Sequence, residues 1–384
     1  MHHPTIARLR IPACFAAAVF ALAATAAPPS SQDSRYHPTT GSADELARWL
    51  GPLVQSPREA FLKLLDRERV PVDFQAGAAT EADGIKRVSF TYMAEPGQRV
   101  PGLWYQPAAA PARLPVVIIL HGTGGNKEGM KPHLETYARA GFAAIAIDGR
   151  YHGGRSTAGK GSTEYQEAIL RAWRTPGREY PFFFDTAWDV MRLIDYLETR
   201  PDVDAKRIGL TGFSKGGIET YLTAAADPRI AVAVPYIGVQ SFRWALENNA
   251  WQSRISTIQT AVDTAAKELH VTQVDAAFIA RFYGHVAPGI DGVFDGPAML
   301  PLIAPRPLLV INGDSDARTP MPGLVDCVER ARARYRAAGH EERLGFIAQK
   351  HTAHKVTPEG HAAGLAWFKR WLQPSTTMKQ KLRP

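Results

Sequence analysis

A strand–helix alternation along the chain predicts an α/β fold: a mostly parallel central sheet with helices on both faces, plus an inserted cap region. Three observations carry this. Short apolar runs recur at 116–120, 143–147, 207–211, 230–235, 307–311 and 344–347, and Val116 to Leu120 is continuous, as in a strand buried on both faces. Between them lie stretches with apolar residues at helical spacing, 127–140, 184–199, 215–226, 324–338 and 359–372. One interval, 238–300, breaks the alternation far beyond the usual connection of about 2–6 residues.

The elements before residue 114 differ in kind. Arg8 and Arg10 precede the apolar run 11–24, and Ala24-Thr25-Ala26 suits cleavage, so residues 1–26 read as a signal peptide and the chain as periplasmic or secreted. Residues 27–41 read as a Pro/Ser-rich linker. Residues 42–83 read as a helical extension, because Leu46, Trp49, Leu50 and Leu53, then Phe61, Leu62, Leu64 and Leu65, recur at helical spacing, with Pro52 and Pro57 dividing two short helices. Residues 84–373 form the main domain. It opens with two strands, 87–93 and 100–105, around a turn at Glu95-Pro96-Gly97. The dense aromatic run Tyr180-Pro181-Phe182-Phe183-Phe184 suits the base of a cap, and Trp188 suits the core face of helix 184–199. The insertion 238–300 carries helical patterns at 255–269 and 275–283. Trp244 and Trp251 within it are candidates for a wall facing substrate. Residues 374–384 form a basic tail.

Composition narrows the function class. Hydrophobic residues make up 45% and charged residues 21% of 384, ordinary for a globular protein. The net charge of +8 is spread along the chain, and Lys379, Lys381 and Arg383 form only a solvated local cluster, so no nucleic-acid partner is expected. Beyond the N-terminus no apolar run is long enough to span a bilayer, so no stable membrane association is expected after signal cleavage. Of the two cysteines, Cys14 falls in the signal, which leaves Cys327 without an internal disulfide partner.

The chemistry is read from four loops. Gly212-Phe213-Ser214-Lys215-Gly216 fits G-x-S-x-G directly between strand 207–211 and helix 215–226. So tight a strand-to-helix turn forces the serine into strained backbone and projects its hydroxyl at the carboxyl end of the sheet. His121-Gly122-Thr123-Gly124-Gly125 follows strand 116–120; its small side chains let backbone N–H groups line an oxyanion pocket, with Thr123 and Lys215 as donors. A serine nucleophile needs a base, and the base an orienting acid. After strand 307–311 two aspartates compete; Asp316 is favoured, with Asp314 capping its own turn. After strand 344–347, His354 precedes the helix start Thr357-Pro358-Glu359 and is favoured over His351, while His361 falls within the helix. Asp148 and His152 lie close together but lack metal-site spacing. No metal or organic cofactor is expected.

These motifs, with Asp148-Gly149-Arg150-Tyr151-His152-Gly153-Gly154-Arg155-Ser156, make the chain resemble the α/β-hydrolase superfamily from about residue 85 to 372. The likeness is to its dienelactone-hydrolase-like and acetyl-xylan-esterase-like branch, bordering on prolyl-oligopeptidase-like domains. The resemblance implies the α/β-hydrolase fold, Ser214 as nucleophile, Asp316 as acid, His354 as base, and Thr123 and Lys215 at the oxyanion positions. It implies a small-molecule or saccharide ester as substrate, with a peptidase or amidase as the alternative. Dienelactone hydrolases proper carry cysteine where this chain has Ser214. Lys215 stands where uncharged residues are common: it either pairs with Glu219 one turn on or places a cation near the cleft.

Overall fold

The computed structural model describes residues 35–110, 113–157 and 162–373. The signal peptide, the linker up to residue 34 and the basic tail lie outside the described residues. Two capped helices lead in, α1 (Ala43–Leu50) and α2 (Pro57–Leu65). Ser56 and Glu59 close a reciprocal capping box around α2, and Pro57 occupies its first turn, where a missing N–H costs nothing. The sheet begins earlier than the helical pattern suggests. The short strands β1 (Gln75–Ala76) and β2 (Thr80–Ala82) pair with β3 (Ile85–Glu95), and β4 (Gln98–Pro107) completes the hairpin. Both added strands are exposed, so they carry no apolar alternation to announce them.

The α/β series follows as β5 (Leu114–Leu120), α3 (Lys131–Arg139), β6 (Ala143–Ile147), α4 (Thr163–Arg174), α5 (Phe184–Thr199), β7 (Val203–Phe213), α6 (Lys215–Ala226) and β8 (Ile230–Tyr236). The insertion then contributes α7 (Phe242–Glu247), α8 (Gln252–Ile255), α9 (Gln259–Glu268), α10 (Ala276–Val286) and α11 (Gly296–Met299). The chain ends on β9 (Leu308–Gly313), α12 (Met321–Ala337), β10 (Leu344–Gln349) and α13 (Pro358–Leu372). The strand order is β1-β3-β4-β6-β5-β7-β8-β9-β10, with β2 beside β3. From β6 to β10 all neighbours are parallel, and β4 joins β6 antiparallel.

Side-chain alternation builds a core on each face of the sheet. Val116, Ile118 and Leu120 join the larger cluster, which takes in α5, α6 and α12. Val117 and Ile119 join the smaller one, with Leu134 and Tyr137 of α3 and Phe368 and Leu372 of α13. The cap is built from two stretches of chain, since α9 and α10 pack on α4, a helix the sequence pattern did not announce. The aromatic run at the start of α5 forms its base: Phe182 stacks on Tyr283, and Phe183 meets Phe242 edge-on. Trp188 is buried in the core, and its indole N–H donates to Ala94 O at 3.0 Å.

A buried charge network ties α5 to the β3–β4 hairpin and to the loop after β6. Arg150 donates to Asp189 at 3.0 and 3.1 Å and to Glu95 at 2.6 Å; Arg155 also pairs with Asp189, and Arg67 with Glu95 and Asp185. Burial works to raise the Asp189 carboxyl, but Arg150 and Arg155 outweigh it and hold it at about 2. Its contribution to stability is therefore in full force above the ordinary aspartate range and is lost as pH falls through about 2. Removing one member of such a set strands charges of opposite sign in the interior. Arg150→Met is expected to cost about 3–5 kcal/mol, read as a lower urea midpoint at unchanged slope. A midpoint within error of the parent would show that the network is not a structural tie.

Candidate active site

Ser214 sits between β7 and α6 at φ 55° and ψ −112°, a left-handed backbone that a non-glycine residue adopts only under constraint. Its N–H donates to Tyr236 O at 3.0 Å, and its carbonyl accepts from Ile218 N at 3.0 Å. The turn closes because Gly212 and Gly216 lack side chains: a Cβ on Gly212 would collide with the Gly216 backbone, and one on Gly216 with Leu120 O.

The loops after β9 and β10 bring the acid and the base to the serine. The hydroxyl of Ser214 donates to His354 Nε2 at 2.7 Å, and His354 Nδ1–H donates to Asp316 Oδ2 at 2.7 Å. The carboxylate can only accept, so it places the imidazole proton on Nδ1 and leaves Nε2 free to take the serine proton. Asp316 also accepts from Arg318 N at 2.9 Å. Burial acts to raise its carboxyl, and these hydrogen bonds with the charge of His354 outweigh it and hold it below the usual range. Burial sets the net direction at His354, whose imidazole is pushed below its ordinary value against the pull of Asp316.

Asp314 does something other than cap its own turn. Its carboxylate accepts from His351 N at 3.0 Å and Thr352 N at 3.1 Å, while Ser315 N donates to Thr352 O. It stitches the acid loop to the histidine loop and so sets the distance from Asp316 to His354. His351 is exposed, and the His361 ring packs at a tilt against Phe213, Tyr236 and His133.

Thr123, on the loop after β5, and Lys215, the first residue of α6, flank the serine, where Gly122 stands against Phe213 and Ser214. The N–H of Lys215 is the first of α6 and has no intrahelical acceptor, and the Thr123 N–H donates to no other group among the described residues. The positive end of α6 adds to the potential there. The Lys215 side chain turns away from the cleft. It is 1% exposed, pairs with Glu219 of equal burial and lies 5.6 Å from the centre of the Tyr165 ring. Burial raises the Glu219 carboxyl to about 7 against the pull of that ammonium.

Two histidines hold the glycine loop, and sequence reasoning did not give them this role. His121 Nδ1–H donates to Gly122 O at 2.8 Å and its Nε2 accepts from Gly149 N at 3.0 Å; His152 Nδ1–H donates to Arg150 O at 2.7 Å and its Nε2 accepts from Gly124 N at 3.2 Å. Asp148 accepts from Lys127 and from Gly154 N, which commits it to the same scaffold. Trp244 and Trp251 do not form the expected wall. Trp244 packs on Gly323 of α12 beside a recess shared with Asp326 and Arg330, and Trp251 is buried in the core. A larger recess of about 610 Å3, lined by Tyr36, Leu46, Leu50 and Leu246, lies between α1 and the cap and includes none of Ser214, Asp316 or His354.

Comparison with known proteins sets the chain beside carbohydrate esterases. The acetyl xylan esterase (AXE1) family matches residues 62–252, and the fungal glucuronyl esterase family matches residues 175–339. A 4-O-methyl-glucuronoyl methylesterase 1 of Sodiomyces alcalophilus is 30% identical over 166 residues, 42% of this chain and 32% of that protein. The putative hydrolase YtaP of Bacillus subtilis is 26% identical over 249 residues, 61% of this chain and 70% of that protein. The chain therefore spans about a third of the first relative's length. Among solved structures, the acetyl xylan esterase from Paenibacillus sp. R4 superposes with a TM-score of 0.58 at 20% identity, covering 86% of this chain and all of that one, a likeness of fold.

The paired histidines make a direct prediction. Burial, then the charge of Lys215, lowers His121 to about 4 and His152 to about 2. Their ring resonances in a 1H–15N spectrum are expected to stay fixed from pH 8 down to about 5. Titration of either ring near the ordinary value of about 6.5 would show that it is not locked neutral. Because the folded values lie below the unfolded one, these rings cost stability as pH falls below about 6.5, and the loss levels off beneath the folded values.

Proposed function

We propose that this member of the α/β-hydrolase superfamily, of acetyl-xylan-esterase-like type, cleaves carboxylic esters through an acyl-enzyme on Ser214. The observation that carries the reading is the hydrogen-bonded line from Ser214 through His354 to Asp316 at the carboxyl ends of β7, β10 and β9. Ser214 Oγ attacks the ester carbonyl while His354 Nε2 takes its proton. The N–H groups of Thr123 and Lys215 hold the oxyanion, and His354 returns the proton to the departing alcohol. Water activated by the same imidazole then releases the acid and restores Ser214.

The named esterase relatives favour an ester over an amide and a saccharide ester over a simple one. The apolar run and small-residue site within residues 1–26 support export to the periplasm or medium, tested by N-terminal sequencing of the protein recovered from those fractions.

Ser214→Ala is expected to lower kcat on 4-nitrophenyl acetate and on acetylated xylo-oligosaccharides by on the order of 10^4-fold or more, with the melting curve retained. Parent-like turnover would remove Ser214 from the reaction. Asp316→Asn is expected to lower kcat by about 10^3–10^4-fold, and Asp314→Asn by less than about tenfold, since only Asp316 fixes the imidazole tautomer. The reverse order would exchange their roles.

Because neutral His354 is the base, kcat/KM should rise with pH as the imidazole loses its proton. Burial puts that midpoint below the ordinary histidine value. A profile flat between about pH 4 and 8, or one rising only above about 7, would contradict the assignment.

A further inference from the structure

Arg254 of α8 is 3% exposed, yet among the described residues no carboxylate lies within ion-pair distance of it. One hydrogen bond positions it. The amide of Gln240, oriented by its neighbours, donates to Arg318 O at 2.6 Å and accepts from Arg254 Nε at 3.2 Å. Nη2 of the guanidinium is buried and has no hydrogen-bond partner among the described residues. Arg318 N is the donor to Asp316, so an unbroken chain of hydrogen bonds runs from Arg254 through Gln240 and the acid loop to His354 and Ser214. The charge of Arg254 is felt at both Asp316 and His354.

A desolvated guanidinium costs several kcal/mol unless something compensates it. Four other arginines whose side chains are 7% exposed or less follow that rule: Arg67, Arg150 and Arg155 each meet carboxylates, and Arg192 meets Asp195. Arg254 is the member of this buried set left without an anion, and it stands on the cap beside the acid loop. Its planar fork is held at Nε, while its terminal nitrogens keep donors to spare, the geometry that takes a carboxylate from two sides. Lys215, the other cation beside the serine, is consumed by Glu219.

We infer that Arg254 is the anion-binding subsite of this cleft, and that the preferred substrate is an ester carrying a free carboxylate apart from the scissile bond, on either its acyl or its alcohol part. The inference rests on the esterase reading and deepens it. A carboxylate entering there completes the ion pair the fold leaves open. It also places its ester next to the acid loop, so an uncharged analogue forgoes the pairing and leaves the guanidinium uncompensated.

The test uses matched pairs that differ only in charge: the 4-nitrophenyl half-ester of succinate against 4-nitrophenyl succinamate for the acyl side, and 4-acetoxybenzoate against 4-acetoxybenzamide for the alcohol side. The wild type is expected to favour the carboxylate member of one pair by about tenfold or more in kcat/KM, mainly through KM. Arg254→Gln and Arg254→Met should bring that ratio close to one, with Arg254→Lys keeping part of it. A ratio taken within one preparation does not depend on the fraction folded. An unchanged ratio in both neutral variants, or no charge preference in the wild type, overturns the proposal. If the wild type hydrolyses none of the four esters, the esterase reading falls, and calorimetric titration with succinate decides the subsite. Binding weakened about tenfold or more by Arg254→Gln supports it, and binding equal in both proteins, or absent from both, overturns it.

Discussion

The strained turn at Ser214 is the constraint on which the rest of the site depends. A non-glycine residue at φ 55° holds its place only where the surroundings over-determine it. Here they do: β7 is paired on both sides by buried parallel strands, Tyr236 O holds the Ser214 N–H, and Gly212 and Gly216 let α6 start almost in contact with β5. The same closeness brings the first N–H of α6 and the loop after β5 to one point. The proposed nucleophile and its proposed oxyanion donors are thus products of one packing decision.

The polar scaffold beneath that turn is directed at the glycine loop. A loop with few side chains has no packing of its own to define it, so its shape must come from hydrogen bonds to fixed groups. His121 and His152 supply them, each with one ring nitrogen donating and the other accepting. That arrangement requires neutral rings, which burial enforces. His152 is in turn placed by the Asp148–Arg155 loop, and Arg150 and Arg155 anchor that loop to α5. The buried charges thereby reach the glycine loop through two layers of hydrogen bonds.

The cap stands in a different relation to the site. Its aromatic residues are spent on packing against α4 and the start of α5, and they supply rigidity more than a substrate wall. Among its buried polar side chains Arg254 is joined through Gln240 to the acid loop. On the proposal made for Arg254, a buried and unpaired guanidinium in the cap selects by charge, whereas an aromatic wall selects by shape.

Sequence alone determined the parts that follow from local rules. Continuous apolar runs marked β5 and β6, helical spacing with Pro and Gly punctuation marked α2, α5 and α13, and a serine wedged between a strand and a helix marked the elbow at Ser214. The order of acid before histidine came from the resemblance to the α/β-hydrolase pattern and not from a local rule. What local rules did not reach were elements and roles defined by distant partners. The edge strands β1 and β2 are too short and exposed to show alternation, and α4 joins the cap through contacts with α9 and α10 far along the chain. Asp314 and Asp316 are both loop aspartates in sequence. Only folding shows that one meets the His351 and Thr352 backbone and the other the His354 ring. Lys215 carried two readings in the sequence, a helix pair with Glu219 and a cleft cation, and burial enclosed it with Glu219; nothing in the sequence around Arg254 singled it out. A residue's charge is written in the sequence. Whether that charge is solvated, paired or left alone in the interior depends on which distant segments close around it, and only the tertiary structure decides that.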